Sequence, residues 1–319
     1  MINLSGYFKL KTLIYLHNRG YSLLRNSELE ANRNYYKKVF LEFKSKSTHN
    51  RIDSIVFSKD RAMQLHAFLR SFSEMVENPG KIIILFKTSN DFHKKSYDEL
   101  KRIFSGKDFI FIEESDFRSQ LIEICNNSYA KIIGLFVDDM IFVQKINYSH
   151  LLEFETLENV VSLGRGKDFD FSIVLNKPIK LPDFIPADNG YLKFKWDQVK
   201  EYSDWSYPLG VSGYFYSNSE LNVMLNNINF KAPNSLENNL QYFKPFFIHR
   251  FGIFYNEMAC VGIHANIVQS EGFNPIIGTH GVEDLLQLWE EGLMIDLNKC
   301  YKIKNASAQT QVFEFIKRK

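Results

Sequence analysis

Cysteine is scarce in this chain: Cys125, Cys260 and Cys300 are the only three in 319 residues, and they lie far apart with no C-x-x-C pair. That excludes a zinc module and a disulfide framework, and it fits a reducing cytoplasm. Long apolar runs are missing too. No window approaches the ~20 residues that span a bilayer. The apolar stretch Thr12–Leu16 is too short for a signal peptide and has no small-residue cleavage site beside it. Neither the G-x-x-x-x-G-K loop nor a G-x-G-x-x-G after an early strand occurs, which disfavours a P-loop ATPase and an ordinary NAD enzyme. Repeats and low-complexity tracts are absent. Net charge is small as well, with 39 Lys and Arg against 37 Asp and Glu. A balance of +2 is too even for a chain that wraps nucleic acid.

What is present is globular: 45% hydrophobic, 15% aromatic and 24% charged residues, which rules out a disordered or collagen-like chain. A chain of this length buries a core without a metal or disulfide staple. The small net charge conceals an asymmetry. Residues 1–50 hold nine Lys and Arg against three Glu, a net of +6, so residues 51–319, with 30 basic and 34 acidic side chains, carry −4. Residues 1–46 read as two amphipathic helices, broken near Asn18-Arg19-Gly20, in which Leu, Ile, Tyr and Phe alternate with Lys and Arg. Lys44–Asn50 reads as a linker. Such a basic extension suits two roles: lying on an anionic leaflet at the inner face of the membrane, or packing against the rest of the chain or a second subunit of a homo-oligomer.

After residue 50 the pattern changes to short apolar runs alternating with helical segments, the signature of βαβ units and an α/β fold. Ser54–Phe57 ends at Ser58-Lys-Asp-Arg61, and Lys81–Phe86 ends at Thr88-Ser-Asn-Asp91. Asp108–Ile112 ends at Glu113-Glu-Ser-Asp116, and Lys131–Val137 ends at Asp138-Asp139, with Met140–Val143 following at once. Helices are expected from about 62 to 72, over 93–104 and around 117–127. Beyond 150 the alternation loosens: 164–216 reads as loops and short strands, 219–228 and 234–247 as helical, Gly262–Gln269 as strand-like and Val282–Glu291 as helix. In open α/β sheets ligands bind beyond the carboxyl ends of the strands, so the polar strand ends point to one crevice.

Two adjacent carboxylates directly after an apolar strand are costly unless something neutralises them. A divalent cation such as Mg²⁺ or Mn²⁺ does so together with substrate phosphates; a solvated turn is the plain alternative. Ser58-Lys-Asp-Arg61 is a strand–loop–helix junction that presents N–H groups, Lys59 and Arg61 to an anion. A capped helix with two solvated bases is the alternative there.

Several of these segments together resemble a family of bacterial glycosyltransferases of the GT-A fold. They are Ile55–Leu65 with Leu69-Arg-Ser71, Phe86–Asn90 with Tyr97, and Leu135–Phe142, then Val161–Arg165, Asp204–Leu209 with Gly213, and Pro233–Glu237. The resemblance runs in order from about residue 52 to 300 and leaves out the N-terminal extension. It implies a GT-A-like, Rossmann-like mixed and mostly parallel sheet flanked by helices. Residues 51–143 would hold a nucleotide-sugar donor and 144–319 a saccharide or lipid-linked acceptor, in bacterial surface-glycan synthesis. It implies donor contacts from Phe57, Ser58, Lys59, Arg61, Ser89, Asp138 and Arg165, and a divalent metal at Asp139, with His264 as a further ligand. Val137 stands where the first Asp of the usual D-x-D motif would be.

Glycosyl transfer also calls for a base that takes the acceptor's proton in an inverting course. Glu237 matches the family's acidic position, with Asp204 in reserve. The alternative for Glu237 is a capping box with Asn234 as N-cap. Trp205, Tyr207 and Tyr214 are candidates for stacking on an acceptor sugar, against a plain role in the core, and a structural role is the alternative for His264. A glycosyltransferase-like scaffold without catalysis and a sugar nucleotidyltransferase are the competing functional readings.

Overall fold

A computed structural model describes residues 4–19, 49–266, 280–301 and 313–318 together with 21, 27, 28, 30–32, 34, 35, 38, 307, 309 and 310. The first four sheet strands and the three helices between them follow the sequence pattern closely. Strand β1 (His49–Lys59) leads to α2 (Ala62–Met75), β2 (Ile82–Lys87) to α3 (Asp91–Ile103), β3 (Phe109–Glu113) to α4 (Phe117–Asn127), and β4 is Ala130–Val137. Helix α1, at Leu4–Asn18, precedes them. Ile52 to Ser58 are buried without interruption, as expected of a central strand covered on both faces. Asn90 and Asp116 cap α3 and α4 by accepting from His93 N and Ser119 N, which fixes where each helix starts.

The four strands are parallel in the order β3-β2-β1-β4, with Ile55 opposite both Ile83 and Leu135. The direction of strand addition reverses between β1 and β4, so the crevice lies at their carboxyl ends. Beyond β4 the sheet becomes mixed. β9 (Tyr214–Ser217) runs antiparallel to β4 and to β6 (Asn159–Ser162); β10 (Phe251–Tyr255) is parallel to β6, and β8 (Tyr191–Lys195) and β7 (Ile185–Pro186) complete the nine strands. Gly213 turns the chain into β9 at φ +77°, a conformation that glycine takes without strain, and its N–H donates to Leu135 O at 2.8 Å.

A smaller sheet pairs β5 (Met140–Phe142) antiparallel with β11 (Cys260–Ile263). The strand expected over 262–269 thus starts earlier and ends at Ile263, and residues 267–269 lie outside the described residues. The helix expected over 219–228 is α5 (Asn218–Asn227), and the one expected over 234–247 is broken: α6 covers Pro233–Leu240, a tight turn follows at Gln241–Phe243, and a last helical turn spans Lys244–Phe247. Pro245 accounts for the break, because it has no N–H to continue the helix. Helix α7 is Val282–Glu290. The three cysteines are buried and free. Among the described residues no helix is long and apolar enough to cross a membrane.

Near the basic end, Ala31 and Tyr35 are buried, and the Tyr35 ring packs on Phe243 and Phe246 at 5.0 and 5.2 Å. The packing reading therefore holds at these positions. α1 leaves Leu13 and Tyr15 exposed.

Candidate active site

The end of β1 builds the first wall of the crevice. Asp60 adopts φ +55°, a left-handed turn that Asp tolerates, and its carboxylate accepts from Ser89 N at 2.7 Å and Ser89 Oγ at 2.5 Å. The loops after β1 and β2 are thereby tied together, and Ser89 is spent on positioning Asp60. Ser58 Oγ lies 2.5 Å from Tyr97 OH and donates to Asp138 Oδ2 at 2.8 Å, while Lys59 N reaches the same oxygen at 3.2 Å. Tyr97 is held by stacking on Phe86, ring centroids 4.8 Å apart. Phe57 is buried with its ring against Phe117, so it acts at the site only through its carbonyl, which accepts from Asp138 N at 3.0 Å. Lys59 keeps its side chain exposed at the mouth.

Pairing of β5 with β11 brings Ile263 N to Asp139 O at 2.5 Å, and His264 follows alongside Asp139. Arg61 reaches across. Its Nη1 donates to Asp138 Oδ1 at 3.1 Å and to Asp139 Oδ2 at 3.0 Å, and its Nε to Asn266 Oδ1 at 2.8 Å; Nη2 donates to the Asn266 carbonyl. Gln64 Nε2 also donates to Asn266 Oδ1, at 3.2 Å. Burial pushes the Asp138 carboxyl up to about 6, and Asp139 adds to that push, against the pull of Arg61 and Ser58. For Arg61, burial works against the charge, but Asp138 and then Asp139 outweigh it and hold the guanidinium above its ordinary value. Burial pushes the His264 imidazole down, with Asp139 opposing and Arg61 reinforcing.

The fit of a divalent metal can be judged on these bonds. One oxygen of each carboxylate already faces the same guanidinium nitrogen. Two unit charges 4 Å apart repel by about 4 kcal/mol at an effective dielectric of about 20, and a dication doubles that. Among the described residues no three His, Cys, Asp or Glu side chains come together to hold a metal. Asp139 and His264 therefore do not fit a metal in this arrangement while Arg61 stays in place.

The second wall comes from the C-terminal half. Because Tyr214 pairs antiparallel with Leu135, residues 211–213 run beside the end of β4. Glu237 joins this wall: its Oε2 accepts from Val211 N at 3.1 Å. The capping alternative is overturned, since α6 begins at Pro233 and Ser235 Oγ accepts from Lys231 N and Ala232 N, leaving Glu237 free of that task. Burial pushes the Glu237 carboxyl up, against the Val211 N–H and the charge of Arg165.

Arg165 is bonded away from the 58–61 loop. Nη1 donates to Ser162 Oγ at 3.0 Å and to Tyr214 OH, and Nη2 to the carbonyls of Asp204 and Tyr207 at 2.6 and 3.1 Å. It clamps the 204–214 loop, with its charge over the rings of Trp196 and Tyr214. Trp205 is fully buried among Phe184, Phe194 and Phe254, with Nε1 donating to Phe169 O at 3.0 Å. It presents no face to a sugar, and Tyr214 is buried as well, so both belong to the core. Tyr207 and Asp204 are half-buried at the loop surface.

Asn266 and Gln64 were not singled out by sequence reasoning. Gln64 sits inside the Ile55–Leu65 resemblance, a signal that pointed at the segment but not at this side chain. Asn266 has no local signal, because only the β5–β11 pairing carries it to Arg61.

No protein-family model matches the chain. A curated protein, the bifunctional glycosyltransferase pgtA of Dictyostelium discoideum, is 27% identical over 201 residues, covering 57% of this chain and 26% of pgtA. The chain thus spans about a quarter of that relative's length. Among solved structures, a fragment of TarS from S. aureus overlaps 66% of this chain and 59% of its own, at a TM-score of 0.42 and 12% identity. The mannosyltransferase PcManGT from Pyrobaculum calidifontis, in complex with GDP-Man and Mn²⁺, overlaps 45% and 46% at a TM-score of 0.30 and 14% identity. These overlaps are partial, and the strand order carries the fold on its own.

Proposed function

We propose that the protein is a glycosyltransferase that moves a sugar from a nucleoside-diphosphate donor to a saccharide or lipid-linked saccharide acceptor. The observation that carries this reading is the convergence of Ser58, Arg61, Asp138 and Asp139 on the switch point between β1 and β4, with Glu237 on the opposite wall. The similarity to the glycosyltransferase pgtA supports it. Residues 51–143 hold the donor and 144–319 the acceptor. The bacterial surface-glycan setting draws its support from the sequence resemblance, and the +6 extension fits an acceptor held near anionic lipid.

In this reading Asp138 accepts from a donor hydroxyl, and Lys59 and Arg61 meet the diphosphate. Glu237, its pKa raised toward the working pH, takes the proton of the attacking acceptor hydroxyl. Calorimetric titration with UDP, GDP and CDP tests donor binding: one of the three binds, and silence toward all of them overturns the reading. Glu237→Gln is expected to lower kcat by about 10²–10³-fold with donor affinity unchanged. An unchanged kcat removes Glu237 from the chemistry.

A further inference from the structure

Arg61 stands where the resemblance would put a divalent ion, and its bonds show what such an ion would have to displace. The Arg61 side chain is 10% exposed and those of Asp138 and Asp139 are 4% and 9%. Asn266 accepts from it twice, through Oδ1 and the main-chain carbonyl, and Gln64 secures Asn266 from behind. Tyr97 OH accepts from Arg61 N at 3.3 Å, so the backbone is held as well as the side chain. Were Arg61 to swing out, Asp138 Oδ1, Asp139 Oδ2 and the Asn266 carbonyl would lose this donor at once, and buried polar groups without partners are strongly disfavoured. Four of the five N–H groups are engaged, which leaves one on Nη2 for a further acceptor.

We propose that Arg61 is the resident cation of this site: it is shared by Asp138 and Asp139 through Nη1, and its remaining Nη2 N–H meets the charge of the departing nucleoside diphosphate, so the donor is held without a divalent ion. This rests on the glycosyltransferase reading. The bond between the anomeric carbon and the diphosphate oxygen breaks with its electron pair going to that oxygen. The acceptor oxygen forms the new bond and gives its proton to Glu237. Arg61 keeps all its protons and stabilises the phosphate charge through hydrogen bonds.

The test uses the full chain. UDP, GDP and CDP are titrated in Mn²⁺ and, separately, in EDTA, and Mn²⁺ binding to the protein alone is followed by electron paramagnetic resonance. The nucleotide that binds should do so with affinities equal within about twofold in the two media, and the wild type should leave the free Mn²⁺ signal undiminished. Arg61→Ala should take up one equivalent of Mn²⁺ and make nucleotide affinity rise about tenfold with the metal. A wild-type affinity that rises about tenfold in Mn²⁺, with the rise lost in Asp139→Asn, overturns the proposal. If Arg61→Ala fails to fold, the wild-type titrations decide. If no nucleotide binds in either medium, the glycosyltransferase reading fails, and Mn²⁺ uptake by the wild-type protein alone still decides whether Arg61 is the resident cation.

Discussion

Two buried arginines organise two ion clusters in this protein, and they differ in how the charges match. Arg250 meets one carboxylate, Glu220, in a paired geometry: Nη1 to Oε2 at 3.0 Å and Nη2 to Oε1 at 2.6 Å. Tyr35 OH adds a third bond to Oε1 at 2.8 Å. One positive charge faces one negative charge, and both carboxylate oxygens are engaged, as a buried pair requires. Arg61 meets two carboxylates through a single nitrogen, so one negative charge is left over in a place with little water. A cluster that serves only the fold has no reason to carry that surplus. Carboxyls perturbed in this way cluster at functional sites, where one of the two can serve as an acceptor for a ligand hydroxyl. The difference separates a cluster that fastens the helical N-terminal segment to the C-terminal half from one that carries surplus charge at the switch point of the sheet.

Breaking each cluster should then give opposite results. Glu220→Gln strands the Arg250 charge in the interior and should cost about 3–5 kcal/mol in urea unfolding, with nucleoside diphosphate affinity unchanged in the molecules that remain folded. Asp139→Asn removes the surplus charge and leaves Arg61 paired with Asp138. Its stability should change by no more than about 1 kcal/mol. Transfer should nevertheless fall about 10²-fold, because Arg61 loses one of the two charges that aim it. A destabilisation by Asp139→Asn as large as that of Glu220→Gln would erase the distinction.

The sequence shows one cluster better than the other. Ser58-Lys-Asp-Arg61 and Asp138-Asp139 are legible because each directly follows an apolar run, and strand ends in such sheets face the crevice. Tyr35, Glu220 and Arg250 are spread over more than 200 residues, and nothing local marks them. Glu220 reads as an ordinary first-turn carboxylate of the helix Asn218–Asn227. The same limit hides Asn266, and it exchanges the roles of aromatic and basic residues in the C-terminal half. Trp205 and Tyr214 look like sugar platforms, and Arg165 like a phosphate contact. Packing then turns Trp205 into the core and commits Arg165 to loop carbonyls. Hydrophobic alternation specifies the nine-stranded sheet's parallel half well. It says little about which face of a loop closes over its neighbours, since that depends on contacts between distant segments.

The smallest expected effect is also the most specific to the unbalanced cluster. Asp138 is raised from an ordinary carboxyl value to about 6 because burial, and then Asp139, disfavour its charge more than Arg61 favours it. An acid raised on folding binds its proton more tightly in the native state. Its contribution to stability is therefore present below the unfolded value near 4 and is lost as pH rises toward about 6. Donor binding runs the other way, because the carboxylate is the better acceptor for a donor hydroxyl. Affinity for a nucleotide-sugar, whose diphosphate diester does not titrate in this range, should fall about tenfold per unit as pH drops below about 6. Asp138→Asn should flatten that limb and shift the stability profile, whereas Glu220→Gln should leave the limb in place. Calorimetric titrations of one nucleotide-sugar from pH 5 to 8 on the three proteins read both effects, and a limb that survives Asp138→Asn would assign it to another group.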